Sequence, residues 1–132
     1  MRDKLLKAFP SLLDKELSDE YIENHPNLMW DVPEIPLNRA VPLYVLWCVE
    51  HHNKDEYLIV DDTISALNKY AREKDSSTGN LSFKQSCNKT QVEVILEFLE
   101  WCKNSACLDI ESMLSRGIKN WNAVHQSLKL GS

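Results

Sequence analysis

Residues 40–49, A-V-P-L-Y-V-L-W-C-V, form a ten-residue apolar run interrupted only by the Tyr44 hydroxyl. A segment apolar on all sides has to be surrounded by protein, so this run predicts the central element of the fold. Asn38 is placed to cap a helix reaching about His52, with Pro42 in its first turn, where a missing N–H costs little. The run is about half as long as a bilayer-spanning helix, so the rest of the chain must bury it. Glycine limits what that rest can be. Only three occur in 132 residues, at 79, 117 and 131, too few for the tight turns of a sandwich or barrel. The expected class is all-α. A single domain over 1–132 should hold five to seven helices, packed around two central apolar helices at about 39–52 and 89–103.

The second central helix has its own start signal. Asn88 and Gln91 have the N-x-x-Q spacing of a capping box. Val92, Val94, Ile95, Leu96, Phe98, Leu99, Trp101 and Cys102 follow, while Glu93, Glu97 and Glu100 mark a narrow wet face. Earlier in the chain, a helix over 2–9 should stop at Pro10, and Ser11 should cap a turn carrying Leu12, Leu13 and Leu17. Ser18, with Asp19 and Glu20 behind it, reads as another helix start. Residues 57–60, Y-L-I-V, suit either a short strand or a helical turn. Asp61 or Asp62 should then cap a helix to about Lys74, and 75–80, D-S-S-T-G-N, reads as loop. Asp109 opens a segment that Gly117 is placed to end in a left-handed turn, and a last helix runs from Ile118 to about Leu128.

Charge is unevenly spread. The net charge is −5, yet residues 14–62 hold twelve acids against three bases, a local −9. Such a surface repels phosphate backbones and anionic lipid and attracts a cationic protein. No signal peptide is recognisable, and the four cysteines, at 48, 87, 102 and 107, form no C-x-x-C pair. Reduced thiols in a cytoplasm are the expectation. Cys87, in Q-S-C-N-K, is the cysteine expected to be exposed.

Chemistry-bearing motifs are scarce. His51 and His52 each precede an acid by four residues (Asp55 and Glu56), but adjacent helical side chains diverge by about 100° and cannot share one ion. A solvated helix end explains them. There is no glycine-rich phosphate loop and no basic stripe. The expectation is a non-enzyme with no cofactor, no metal, and neither nucleic acid nor membrane as partner. An enzyme assembled from distant residues would have to draw on Cys87 or His51.

A partner surface is better supported. Residues 25–37, H-P-N-L-M-W-D-V-P-E-I-P-L, combine three prolines with Leu28, Met29, Trp30, Val32 and Ile35. A loop that apolar must lie on the protein's own core or on a partner. Trp47 and Trp101 fall in apolar helices and read as core. Trp30, among acids, is the candidate interface anchor. The candidate partner-binding set is Trp30, Asp31, Glu34, Glu50, Asp55, Glu56, Asp61 and Asp62.

Two tracts, P-L-Y-V-L-W-C-V (42–49) and L-S-F-K-Q-S-C-N-K-T-Q-V-E-V-I-L-E-F-L-E-W (81–101), are similar to a pattern in small bacterial proteins. There, a proline-opened apolar helix precedes a phenylalanine loop and a helix with Gln near its start. The whole profile resembles the immunity proteins of polymorphic-toxin and contact-dependent growth inhibition systems, a likeness of type carried by no single motif. It implies a cytoplasmic protein that neutralises a cognate basic, nuclease-type toxin domain by occluding its active or substrate-binding surface. The alternative is an adaptor or regulatory subunit docking another protein through the apolar loop 25–37.

Overall fold

A computed structural model of the chain describes residues 1–28, 30, 34–51, 59–73, 82–105 and 111–130. Among these, all regular structure is helical, as the glycine-poor sequence predicts. The elements are α1 (Arg2–Ala8), a 3₁₀ turn (Pro10–Asp14), α2 (Asp19–Asn24), α3 (Leu37–His51), α4 (Ile59–Arg72), α5 (Phe83–Ser86), α6 (Lys89–Ser105) and α7 (Glu111–Leu130). The chain divides into two compact units, Met1–Ala66 and Leu67–Ser132, and the division falls within α4.

In the first unit, α1, the 3₁₀ turn and α2 all pack on α3. Every residue of α3 from Ala40 to Cys48 is buried, as a helix apolar on all sides requires. Leu5, Phe9, Leu12 and Ile22 are buried in the elements that cover it. The Tyr44 hydroxyl, the one polar interruption, donates to the His25 carbonyl, and His25 stacks on Tyr21. The chain is thereby tied down just after α2. Ser18 caps α2 as expected, its hydroxyl accepting the Tyr21 N–H at 3.0 Å.

Three local expectations for this unit change. α3 begins at Leu37, before the expected Asn38 cap, because the Pro36 carbonyl takes the N–H groups of both Arg39 (3.0 Å) and Ala40 (2.9 Å). Pro42 therefore lies in the second turn instead of the first. The 3₁₀ turn starts at Pro10 with Phe9 before it, so Ser11 is inside the turn and does not cap it; proline's fixed φ suits that first position. Finally, the residues Ile59 and Val60 are the buried opening of α4, which resolves 57–60 toward helix for the described pair. Asp61 and Asp62 are then first-turn acids and not caps, favoured there by the helix dipole.

The second unit is built on α6 against α7. The Asn88–Gln91 capping box forms: Gln91 N–H donates to Asn88 Oδ1 at 2.8 Å, and Asn88 N–H to Gln91 Oε1 at 2.9 Å. Glu93, Glu97 and Glu100 are exposed, with Val92, Val94, Ile95, Phe98 and Leu99 buried. A second capping box, Ser82 with Gln85, starts the short α5. It turns Phe83 inward, edge-on to Trp121 and tilted against Tyr70. The Trp121 indole donates to the Leu67 carbonyl at 3.0 Å, so this buried ring leaves no orphan donor.

Gly117 does not end a helix. It sits inside α7, no glycine among the described residues has positive φ, and the segments expected as 109–117 and 118–128 are continuous from Glu111. Space is the reason. A Cβ at 117 would stand 2.5 Å from Asn68 Oδ1 and 3.4 Å from a Leu99 methyl. Asn68 itself is buried and donates to the Met113 carbonyl at 3.1 Å. Glycine lets α4 reach the α7 backbone. Trp101 is half-buried and stacked on Phe98, a looser placement than the core position expected. Asp109, Lys74 and residues 75–80 lie outside the described residues.

Candidate protein-docking surface

The loop before α3 divides its apolar residues between two tasks. Leu28 is buried and Ile35 half-buried, so both ends of the described loop are pinned to the protein. Between them Trp30 is 82% exposed, and its backbone N–H donates to the Asn27 carbonyl at 3.1 Å. The main chain beneath the ring is held while the ring stands in water. Met29, Asp31, Val32 and Pro33 lie outside the described residues. One other large apolar side chain among the described residues is exposed, Leu13 at 74%. The sequence puts it on the same turn as Leu12 without saying which of the two faces out. The 3₁₀ turn sends Leu12 inward and Leu13 outward, and it closes on Lys15, whose φ of 43° and ψ of 53° are left-handed.

The acids of the candidate set fall on separate elements. Glu34 is exposed in the loop, Glu50 is exposed near the end of α3, and Asp61 and Asp62 are half-buried in the first turn of α4. Asp55 and Glu56 lie outside the described residues. Several acids of the −9 segment also have internal partners. Arg39 pairs with Glu16 at 3.0 Å, Arg2 with Glu50 at 3.8 Å, and His51 Nε2 donates to Asp19 Oδ2 at 3.1 Å. Half-exposed pairs of this kind are worth about 0–1 kcal/mol, so they fix side chains more than they stabilise the fold. They leave Glu34 as the described acid nearest in sequence to the exposed indole.

The residues considered for chemistry are placed differently from expectation in one case. Cys87 is buried, not exposed: it follows α5 directly, its N–H donating to the Lys84 carbonyl at 3.3 Å, and the turn carries its side chain inward. Burial pushes its thiol up to about 12, and burial does the same to Cys102. Neither is a thiolate near neutral pH, which removes Cys87 as an activated nucleophile. His51 lies over the Trp47 ring and bonds Asp19, and His52 is outside the described residues. No group of three or more potential metal-ligating side chains occurs among the described residues, and no described helix is long and apolar enough to cross a membrane. Leu13 is the surface feature that sequence reasoning missed. Its only local signal is the L-L pair after a proline, in which one leucine must face out.

Compared with models of known protein families, with curated proteins and with solved structures, the chain has no match.

Proposed function

We propose that this protein binds and occludes a basic protein partner, as an immunity protein would neutralise a nuclease-type toxin domain in the cytoplasm. The observation that carries the reading is Trp30, 82% exposed in a unit rich in acids. Burying an aromatic ring of this size removes about 150–250 Å² from water. At about 25 cal/mol per Å² that is a gain of about 4–6 kcal/mol before association costs, which is the scale of an interface hot spot. Glu34, Glu50, Asp55, Glu56, Asp61 and Asp62 would stand in for the phosphates that a nuclease surface otherwise grips. They would also raise the association rate above the unsteered ~10⁵–10⁶ M⁻¹s⁻¹.

The test is capture of partners from the source cells on the tagged chain, washed at low and high salt, followed by affinity measurement with the purified partner. A basic partner lost as salt rises supports the reading. Its affinity should fall more than about tenfold when Glu34, Asp55 and Glu56 are changed together to Lys, since reversal replaces attraction by repulsion. The adaptor reading rests on the same exposed ring in an apolar loop. It predicts a neutral or acidic partner that survives high salt and ignores the charge reversal.

A further inference from the structure

Two stretches of the chain are opposites in charge. Residues 16–38 hold six acids and no Lys or Arg, and residues 112–132 hold three bases and no acid. The second stretch lies mostly on α7, where Ser112, Ser115, Arg116, Lys119, Asn122 and Gln126 are exposed. At 3.6 residues per turn these positions share one arc of the helix. Arg116 and Lys119, three apart, are neighbours on that arc, and neither has an ion-pair partner among the described residues. The arc offers cations and hydrogen-bond donors, with no large apolar side chain among its described residues.

The first stretch has what that arc lacks. Trp30 stands 82% exposed in it, its backbone held by the Asn27 carbonyl. Trp and Arg are both enriched in interface hot spots, which tend to face one another across a contact. A guanidinium is planar and weakly hydrated, so it lies readily on an indole face. In a single copy both patches are left to solvent. We propose that they join between copies: Trp30 of one molecule seats on the α7 arc of a second, over Arg116, and the acids of 16–38 supply the field that draws the cations in. A membrane does not fit this arc, because an interfacial helix needs an apolar side to insert. The matching patch comes with every copy of the chain, and the two patches differ, so the contact is heterologous. The net −5 of each copy opposes approach and keeps the association weak. It takes up the ring that the proposed function gives to a basic partner, so the two would compete.

Sedimentation velocity on the full chain tests this at physiological ionic strength, where a Debye length of about 8 Å screens whole-molecule repulsion but not charges in contact. The expected dissociation constant is about 10⁻⁴ M, a weak association. Trp30→Ala, and the double change Arg116→Glu with Lys119→Glu, should each weaken it more than about tenfold. All three side chains are exposed, so both variants should unfold in urea close to the wild-type midpoint. Arg116→Gln with Lys119→Gln, a milder change, should weaken association in the same direction. Mixing decides the geometry. Trp30→Ala keeps the arc and the charge reversal keeps the ring, so the two variants together should form a one-to-one complex that neither forms alone. A wild type that stays monomeric at about 10⁻³ M overturns the proposal. So does an association that survives the α7 reversal, or a mixture that forms no complex. None of these results touches the capture of a basic partner, which is read separately.

Discussion

The unit ending at Ala66 carries thirteen acids and six bases, a net −7, and both exposed large apolar side chains, Leu13 and Trp30, lie in it. The unit beginning at Leu67 carries seven acids and nine bases, a net +2, and none of its described large apolar side chains is exposed. Both are helical and both bury tryptophan, so the contrast is one of surface and not of fold. A chain gains nothing in stability by standing an indole in water. The second unit's covered rings show that these helices can bury their large side chains. On the proposed reading the exposed pair in the acidic unit serves binding, and the covered rings of the second unit serve packing.

The largest effect that would sharpen this contrast is on the two kinds of tryptophan. Trp121→Ala should cost about 3–5 kcal/mol in urea unfolding, through the lost ring and its hydrogen bond to the Leu67 carbonyl. Trp30→Ala should stay within about 0.5 kcal/mol of wild type. A large loss at Trp30 would mean that it packs on the protein, and the contrast would collapse.

Alkaline titration comes next. Burial raises Cys87 and Cys102 from 9.0 to about 12, and burial together with Glu73 raises Tyr70 from 10.0 to about 12. All three groups belong to the second unit. Each binds its proton more tightly folded than unfolded, so their stabilising effect is whole below pH 9 and is lost as pH climbs toward 12. The urea midpoint should fall across that window, and alkylation of both thiols at pH 8 should need unfolding. Rapid alkylation of native Cys87 would contradict its burial.

Glycine and lysine positions give smaller effects of opposite sign. In an ordinary helix interior Gly→Ala stabilises by about 0.5–1 kcal/mol. Gly117→Ala should instead destabilise by about 1–2 kcal/mol, through crowding on Asn68. Asn68→Ala should relieve much of that loss in a double-mutant cycle. In the acidic unit, Lys15→Gly should stabilise by about 1 kcal/mol, because the left-handed backbone at Lys15 suits glycine better. Thermal or urea unfolding reads both.

Helices whose evidence is local were legible in the sequence. α3 follows from an apolar run broken only by the Tyr44 hydroxyl, α6 from Asn88, Gln91 and the Glu93–Glu97–Glu100 stripe, and α2 from Ser18. What was not legible depends on partners far along the chain. Gly117 looks like a helix stop until Asn68, forty-nine positions earlier, occupies the space a Cβ would need. Cys87 looks solvated in Q-S-C-N-K until α5 turns it inward. On the candidate surface, the exposure of Trp30 agreed with its setting among acids and prolines. Leu13 escaped because a period of three or four cannot say which of two adjacent leucines a 3₁₀ turn sends out.

The most direct test is hydrogen exchange on the intact chain, free and bound to the basic partner recovered by salt-sensitive capture. A docking surface on the acidic unit predicts slowed exchange in the loop around Trp30 and at the start of α4, with α6 and α7 unchanged. Protection confined to residues 89–130 would contradict it, and would move the binding role to the unit assigned here to packing.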